Sequence, residues 1–165
     1  MLRKAIWIVA TCSLLSACKP NLPADIAEAY KAVPEKVDFN IHVKPILSDK
    51  CFVCHGPDKA KQKAGLRLDI RESAYGPPPE TPGKVAINAG SLYGSEVFHR
   101  IISADPEYQM PPSDSHLKLT AAEKAIIIKW IDDGAEYKPH WAFVKPEQQR
   151  LPDLKNNDGI VNPID

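Results

Sequence analysis

One pentapeptide constrains this chain more than anything else in it: Cys51-Phe52-Val53-Cys54-His55. A Cys-x-x-Cys-His run reads as a site of covalent c-type haem attachment. The reason is geometric. Two thiols three positions apart can add to the two vinyl groups of one porphyrin, and the adjacent His55 is then held at the iron as the proximal ligand. Three other readings compete. A redox-active dithiol is expected near a βαβ pattern, which this sequence lacks. A structural zinc site needs a second pair of Cys or His ligands at short spacing, and none follows. A chance disulfide would leave His55 and the helix before it unexplained.

The N-terminus sets the compartment. Arg3 and Lys4 precede an apolar run from Ala5 to Leu15, and Leu15-Ser16-Ala17-Cys18 supplies small residues before a cysteine. The run is too short to span a bilayer and reads as a secretory signal. Its end resembles the bacterial lipobox, which makes Cys18 the lipid-modified first residue of the mature protein; the alternative is a plain signal with an incidental cysteine. Two or three acyl chains anchor stably, where one is marginal. Removal of residues 1–17 takes away Cys12, so only Cys51 and Cys54 remain for the folded domain. It also takes Arg3 and Lys4 from a chain with 21 basic and 21 acidic residues, leaving 19 against 21 and a net charge of −2. That balance gives no electrostatic case for nucleic acid. The expected location is outside the cytoplasm, at a membrane, facing the periplasm or the cell exterior.

The 16 prolines force long stretches to be loop or extended linker. Residues 18–36 are expected as a tether with a brief helical stretch at Ala24 to Ala32, the alternative being a packed N-terminal arm. Ile41, Val43, Ile46 and Leu47 predict a short helix starting near Val43 or Lys44, with Pro45 in its first turn. Residues 56–88 read as loop, with a short extended piece from Gly65 to Asp69. Leu92, Val97, Phe98, Ile101 and Ile102 have helical spacing over Ser91 to Ile102. The clearest helix opens on the capping box Thr120-Ala121-Ala122-Glu123, places Ala122, Ile126, Ile127, Trp130 and Ile131 on one face, and stops at Gly134. Ile46, Leu47, Ile127, Trp130 and Ile131 are expected to be buried together where the first and last helices cross.

A second axial ligand has five candidates: Met110, His42, His99, His116 and His140. Met110 is favoured because Tyr108-Gln109-Met110-Pro111-Pro112 is held extended by its prolines between two helices. His116 shares that loop and is the best rival. His with Met raises the potential and suits electron transfer, whereas an open sixth position would suit a haem enzyme or a ligand sensor. A third possibility is a haem-stabilised anchoring module of a larger enzyme. No small-molecule substrate is expected, and the expected partner is a redox protein. Lys44, Lys50, Lys59, Lys61, Lys63 and Arg67 flank the haem motif, either as a ring around an exposed haem edge or as an ordinary solvated face. Arg67 or Arg71 is a candidate partner for a haem propionate.

Taken in order, several segments resemble the planctomycete-type cytochrome c domain, a class I-like module. They are Asp38-Phe39-Asn40, Val43 to Leu47, Cys51 to Gly56, Ala64 to Asp69, Gln109 to Pro112, Lys129 to Ala135 and Lys138 to Phe143. The resemblance implies an all-α haem domain over residues 37–137, with one haem c on Cys51, Cys54 and His55 and Met110 as distal ligand. In that family the haem module usually heads a longer chain. Residues 138–165 are therefore expected as an extended tail, or as the start of a downstream region whose activity is absent here.

Overall fold

The computed structural model describes residues 21–143 and Lys145. The expected signal, Cys18 and the end of the tail lie outside the described residues. Six α-helices follow one another: α1 Ala24–Tyr30, α2 Lys44–Lys50, α3 Phe52–His55, α4 Arg71–Tyr75, α5 Glu96–Ile102 and α6 Ala121–Asp132. A π-helical turn, Phe39–Val43, runs directly into α2, and a 3₁₀ turn covers Trp141–Phe143. There is no β-strand among the described residues. The domain is all-α.

Helix α6 is the beam on which the rest is laid. Its start is fixed by the capping box: Glu123 N donates to Thr120 Oγ1 at 3.2 Å, and Thr120 N donates to Glu123 Oε2 at 2.7 Å. Its end closes in a Schellman motif, with Ala135 N bonded to Trp130 O at 2.7 Å and Gly134 N to Ile131 O at 3.1 Å. That turn needs the left-handed backbone of Gly134, at φ 105°. Ala125, Ile127, Ile128, Trp130 and Ile131 are buried. The buried stripe is therefore rotated from the expected one: Ala122 is exposed and Ile126 only partly covered, while Ala125 and Ile128 face inward.

Helix α6 is covered mainly by α1 and by the Phe39–Val43 turn. Ile26 of α1 is fully buried, so residues 24–30 are a packed arm rather than the expected tether. The five residues expected at the helix crossing are all buried, but the π-helical turn, not α2 itself, makes the main contact with α6. That turn is held by Asp38, whose Oδ1 accepts from Asn40 N at 2.9 Å and Ile41 N at 3.1 Å. Pro45 sits in the first turn of α2, as expected.

An aromatic knot joins these parts. The Phe39 ring lies 5.6 Å from Trp130 and 4.6 Å from Tyr137, and Tyr137 lies 5.9 Å from Tyr75 of α4. Each polar end in the knot finds a carbonyl: Trp130 Nε1 donates to Glu136 O, Tyr137 Oη to Leu68 O, and Tyr75 Oη to Ala135 O. A buried aromatic with its polar tip bonded contributes packing without a desolvation penalty. The chain after the knot stays docked, because Lys138 Nζ lies 2.7 Å from Asp38 Oδ2 and Asn40 Nδ2 donates to Pro139 O.

Lys138 holds the Asp38 carboxyl below its usual range, aided by the backbone donors of the turn and opposed by burial. A depressed carboxylate pKa stabilises the fold above the unfolded value of about 4 and loses that contribution as pH falls through the folded value. We expect Asp38→Asn to lower unfolding free energy at pH 7 by about 1 kcal/mol, and the deficit to shrink towards pH 3. Urea unfolding at the two pH values checks this; an equal deficit at both contradicts it.

Candidate haem site

The haem motif is built by a short turn between two pinned ends. Cys51 N bonds to Leu47 O at 2.9 Å, so α2 carries straight into the motif, and His55 N returns to Cys51 O at 2.8 Å. The turn then stops at Gly56, where an added Cβ would lie 2.3 Å from Phe52 O. Only glycine can follow His55 at this approach. The loop beyond is tied back to the motif, Lys63 N to Cys54 O at 2.9 Å and Leu68 N to His55 O at 2.8 Å. These bonds seat Leu66 and Leu68 beside the motif, both buried. The segment Gly65 to Asp69 keeps the alternating burial expected of it but forms turns, because Ala64 and Gly65 take positive φ.

Helix α4 lies within the stretch expected to be loop, and α5 begins at Glu96 rather than Ser91. The delay has a physical cause. Ser95 is fully buried, and its hydroxyl accepts from Asn88 N at 2.9 Å and lies 2.7 Å from Ser91 O, which holds residues 88–95 in a closed turn. Glu96 N and Val97 N then bond to Val85 O and Ala86 O instead of to an upstream helical turn.

Between α3, α5, the 63–68 loop and the 110–119 loop lies a cavity of about 610 Å³. That lies within the usual range for a cofactor site, about 300–1,000 Å³. Cys51, Cys54, His55 and Met110 all line it, and Leu66, Leu68, Ala86, Val97, Ile101 and Leu117 supply much of its apolar wall. The two cysteines are free thiols, with no disulfide between them. Burial pushes the Cys51 thiol up to about 12, with Cys54 and Glu123 adding to the rise. Burial also holds the His55 imidazole below its ordinary value, assisted by Arg100 and opposed by the nearby backbone of Lys63 and Leu66. The neutral imidazole is the form that binds a metal. His55 Nδ1 is buried without a hydrogen-bond partner. An apolar chamber with two thiols and an incompletely bonded imidazole in its wall fits a covalently held haem.

The remaining candidates separate by position. His42, His99, His116 and His140 do not line the cavity. His42 Nδ1 accepts from Asp38 N at 2.8 Å, His99 Nε2 lies 2.9 Å from Tyr93 O, and His116 is exposed. Met110 is held at the cavity by its own N–H, bonded to Arg100 O at 3.0 Å. Of the basic residues around the motif, Lys50 and Lys63 reach the cavity wall, whereas Lys44, Lys59, Lys61 and Arg67 do not. Neither arginine named as a candidate for a propionate lines the cavity. Arg67 forms a two-pronged pair with Asp69, and Arg71 lies over the Tyr75 ring. Two further cations line the cavity, Lys84 and Arg100, which are distant from the Cys51–His55 run in sequence and both meet Glu96 at 2.9 Å. Among the described residues, no group of three or more His, Cys, Asp or Glu side chains is placed to hold a metal ion.

Residues 51–114 match the planctomycete cytochrome C family. Over this segment the chain is similar to that family. The match begins at Cys51 and runs through the Met110 loop, so it covers much of the cavity wall just described. A cytochrome c family implies haem c as the cofactor. No curated protein and no solved structure matches the chain. No helix among the described residues is long and apolar enough to cross a membrane.

Proposed function

We propose that this protein is an exported, lipid-anchored electron carrier with a single haem c, bound through Cys51 and Cys54 and held axially by His55 and Met110. The observation that carries the reading is that Met110, alone among the five candidate sixth ligands, lines the cavity shared by Cys51, Cys54 and His55. Haem held between imidazole and thioether supplies one-electron ferrous–ferric exchange at a raised potential. The chain's own residues set the conditions for it. Leu66, Leu68, Val97 and Ile101 give the site an apolar wall, and burial favours the neutral form of His55. Lys50, Lys63 and Lys84 at the cavity wall favour approach of an acidic redox protein. Anchoring is supported by Leu15-Ser16-Ala17-Cys18, which resembles a lipobox with Cys18 as the residue that would carry the lipid.

Substitution of Met110 tests the reading. The Met110→Ala protein is expected to lose the weak far-red band of thioether-ligated ferric haem. Its potential should fall, and its reduced form should bind carbon monoxide. A variant whose spectrum and potential equal those of the wild type contradicts the assignment.

A further inference from the structure

One oxygen in the cavity wall collects more donors than any helix cap requires. Glu96 Oε1 accepts from Tyr108 Oη at 2.8 Å, from Arg100 Nε at 2.9 Å and from Lys84 Nζ at 2.9 Å. Arg100 lies one helical turn beyond Glu96 on α5, and its guanidinium stands 4.5 Å over the Tyr108 ring. The same residue reaches the loop twice more, through Nη1 to Tyr108 O at 3.4 Å and through its carbonyl to Met110 N at 3.0 Å. Two residues of rigid helix thus grip both Tyr108 and Met110. Below Tyr108, Gln109 N and Tyr108 N turn back to Asp105 O, so the loop has few other ties to α5.

The geometry points to Glu96 and Arg100 as positioning residues that hold the Met110 arm at the cavity through Tyr108. The proposal rests on the reading of Met110 as the distal ligand and adds what fixes it there. Without the clasp the Met110 side chain keeps its chemistry but samples other positions, and a competing ligand then displaces it more easily. The effect is local. It differs from a loss of fold because the aromatic knot and α6 do not share these bonds.

The test uses the full-length haem-loaded protein and free imidazole as the competing ligand, followed by loss of the far-red band. A hydrogen bond to a charged group is worth enough to shift such an equilibrium about tenfold. Tyr108→Phe, which removes one oxygen, is therefore expected to bind imidazole about tenfold more tightly than the wild type. Glu96→Ala should bind it more tightly still, and Glu96→Gln, which keeps an acceptor for Tyr108, should lie nearer the wild type. Thr120→Ala loosens the cap of α6 and should leave imidazole binding unchanged. If Tyr108→Phe and Glu96→Ala match the wild type in imidazole affinity while the far-red band is present, the clasp is overturned and Met110 ligation stands. Equal gains in Thr120→Ala also overturn it, since the effect would then be general loosening. A wild type with no far-red band overturns the ligand assignment and the clasp with it.

Discussion

Replacing both haem thiols, Cys51→Ala with Cys54→Ala, should abolish covalent haem and leave a chain that does not reach the native fold. The first effect follows from chemistry, since no thiol remains to add to a vinyl group. The second follows from size. The cavity lined by Cys51, Cys54 and His55 measures about 610 Å³. Without haem its apolar wall would be left void or opened to water, and a closed void of that size, at about 24 cal/mol per Å³, would cost on the order of 10 kcal/mol. That rivals the whole stability of a typical small domain, about 5–15 kcal/mol. The chain should therefore collapse or unfold rather than keep an empty chamber. Mass spectrometry of the denatured variant should show polypeptide without haem, and far-ultraviolet circular dichroism should show lost helix. A variant that retains covalent haem contradicts the attachment site.

Trp130→Ala carries the largest expected effect away from the cavity. Trp130 is 2% exposed, lies against Phe39 and Tyr137, and donates to Glu136 O. Truncating a buried tryptophan removes its apolar surface, leaves a void and strands a carbonyl, for a loss of about 3–5 kcal/mol. Ile41→Ala is the control, because Ile41 is 70% exposed and its loss should change stability by less than about 0.5 kcal/mol. Denaturant unfolding monitored on the helices compares the two. A Trp130→Ala protein within about 1 kcal/mol of wild type would contradict the role of the aromatic knot.

Much of this is legible in the sequence, and the reasons are local. The capping box at Thr120 and the stop at Gly134 depend on residues within a turn of one another, so the sequence displays them directly. The haem motif is legible for the same reason. The features that escaped depend on what another segment does. Helix α4 has only five residues, too few for a period to declare itself. Ala24–Tyr30 looked like linker because its one fully buried side chain, Ile26, has meaning only once α6 lies beneath it. The stripe on α6 was misplaced by a rotation because Ala125 and Ile128 are covered by partners distant in sequence. The clasp was invisible for the same cause: Lys84, Glu96, Arg100 and Tyr108 come from three segments and share one carboxylate oxygen. Arg67 shows the converse, a cation near the haem motif in sequence whose partner is its neighbour Asp69.

The most direct test of the electron-carrier reading is a reductive titration of the wild-type mature protein followed in the visible spectrum. The account predicts one reversible one-electron wave, a far-red band in the oxidised form that vanishes on reduction, and no carbon monoxide complex in the reduced form. An oxidised spectrum without that band, together with ready carbon monoxide binding after reduction, would contradict it.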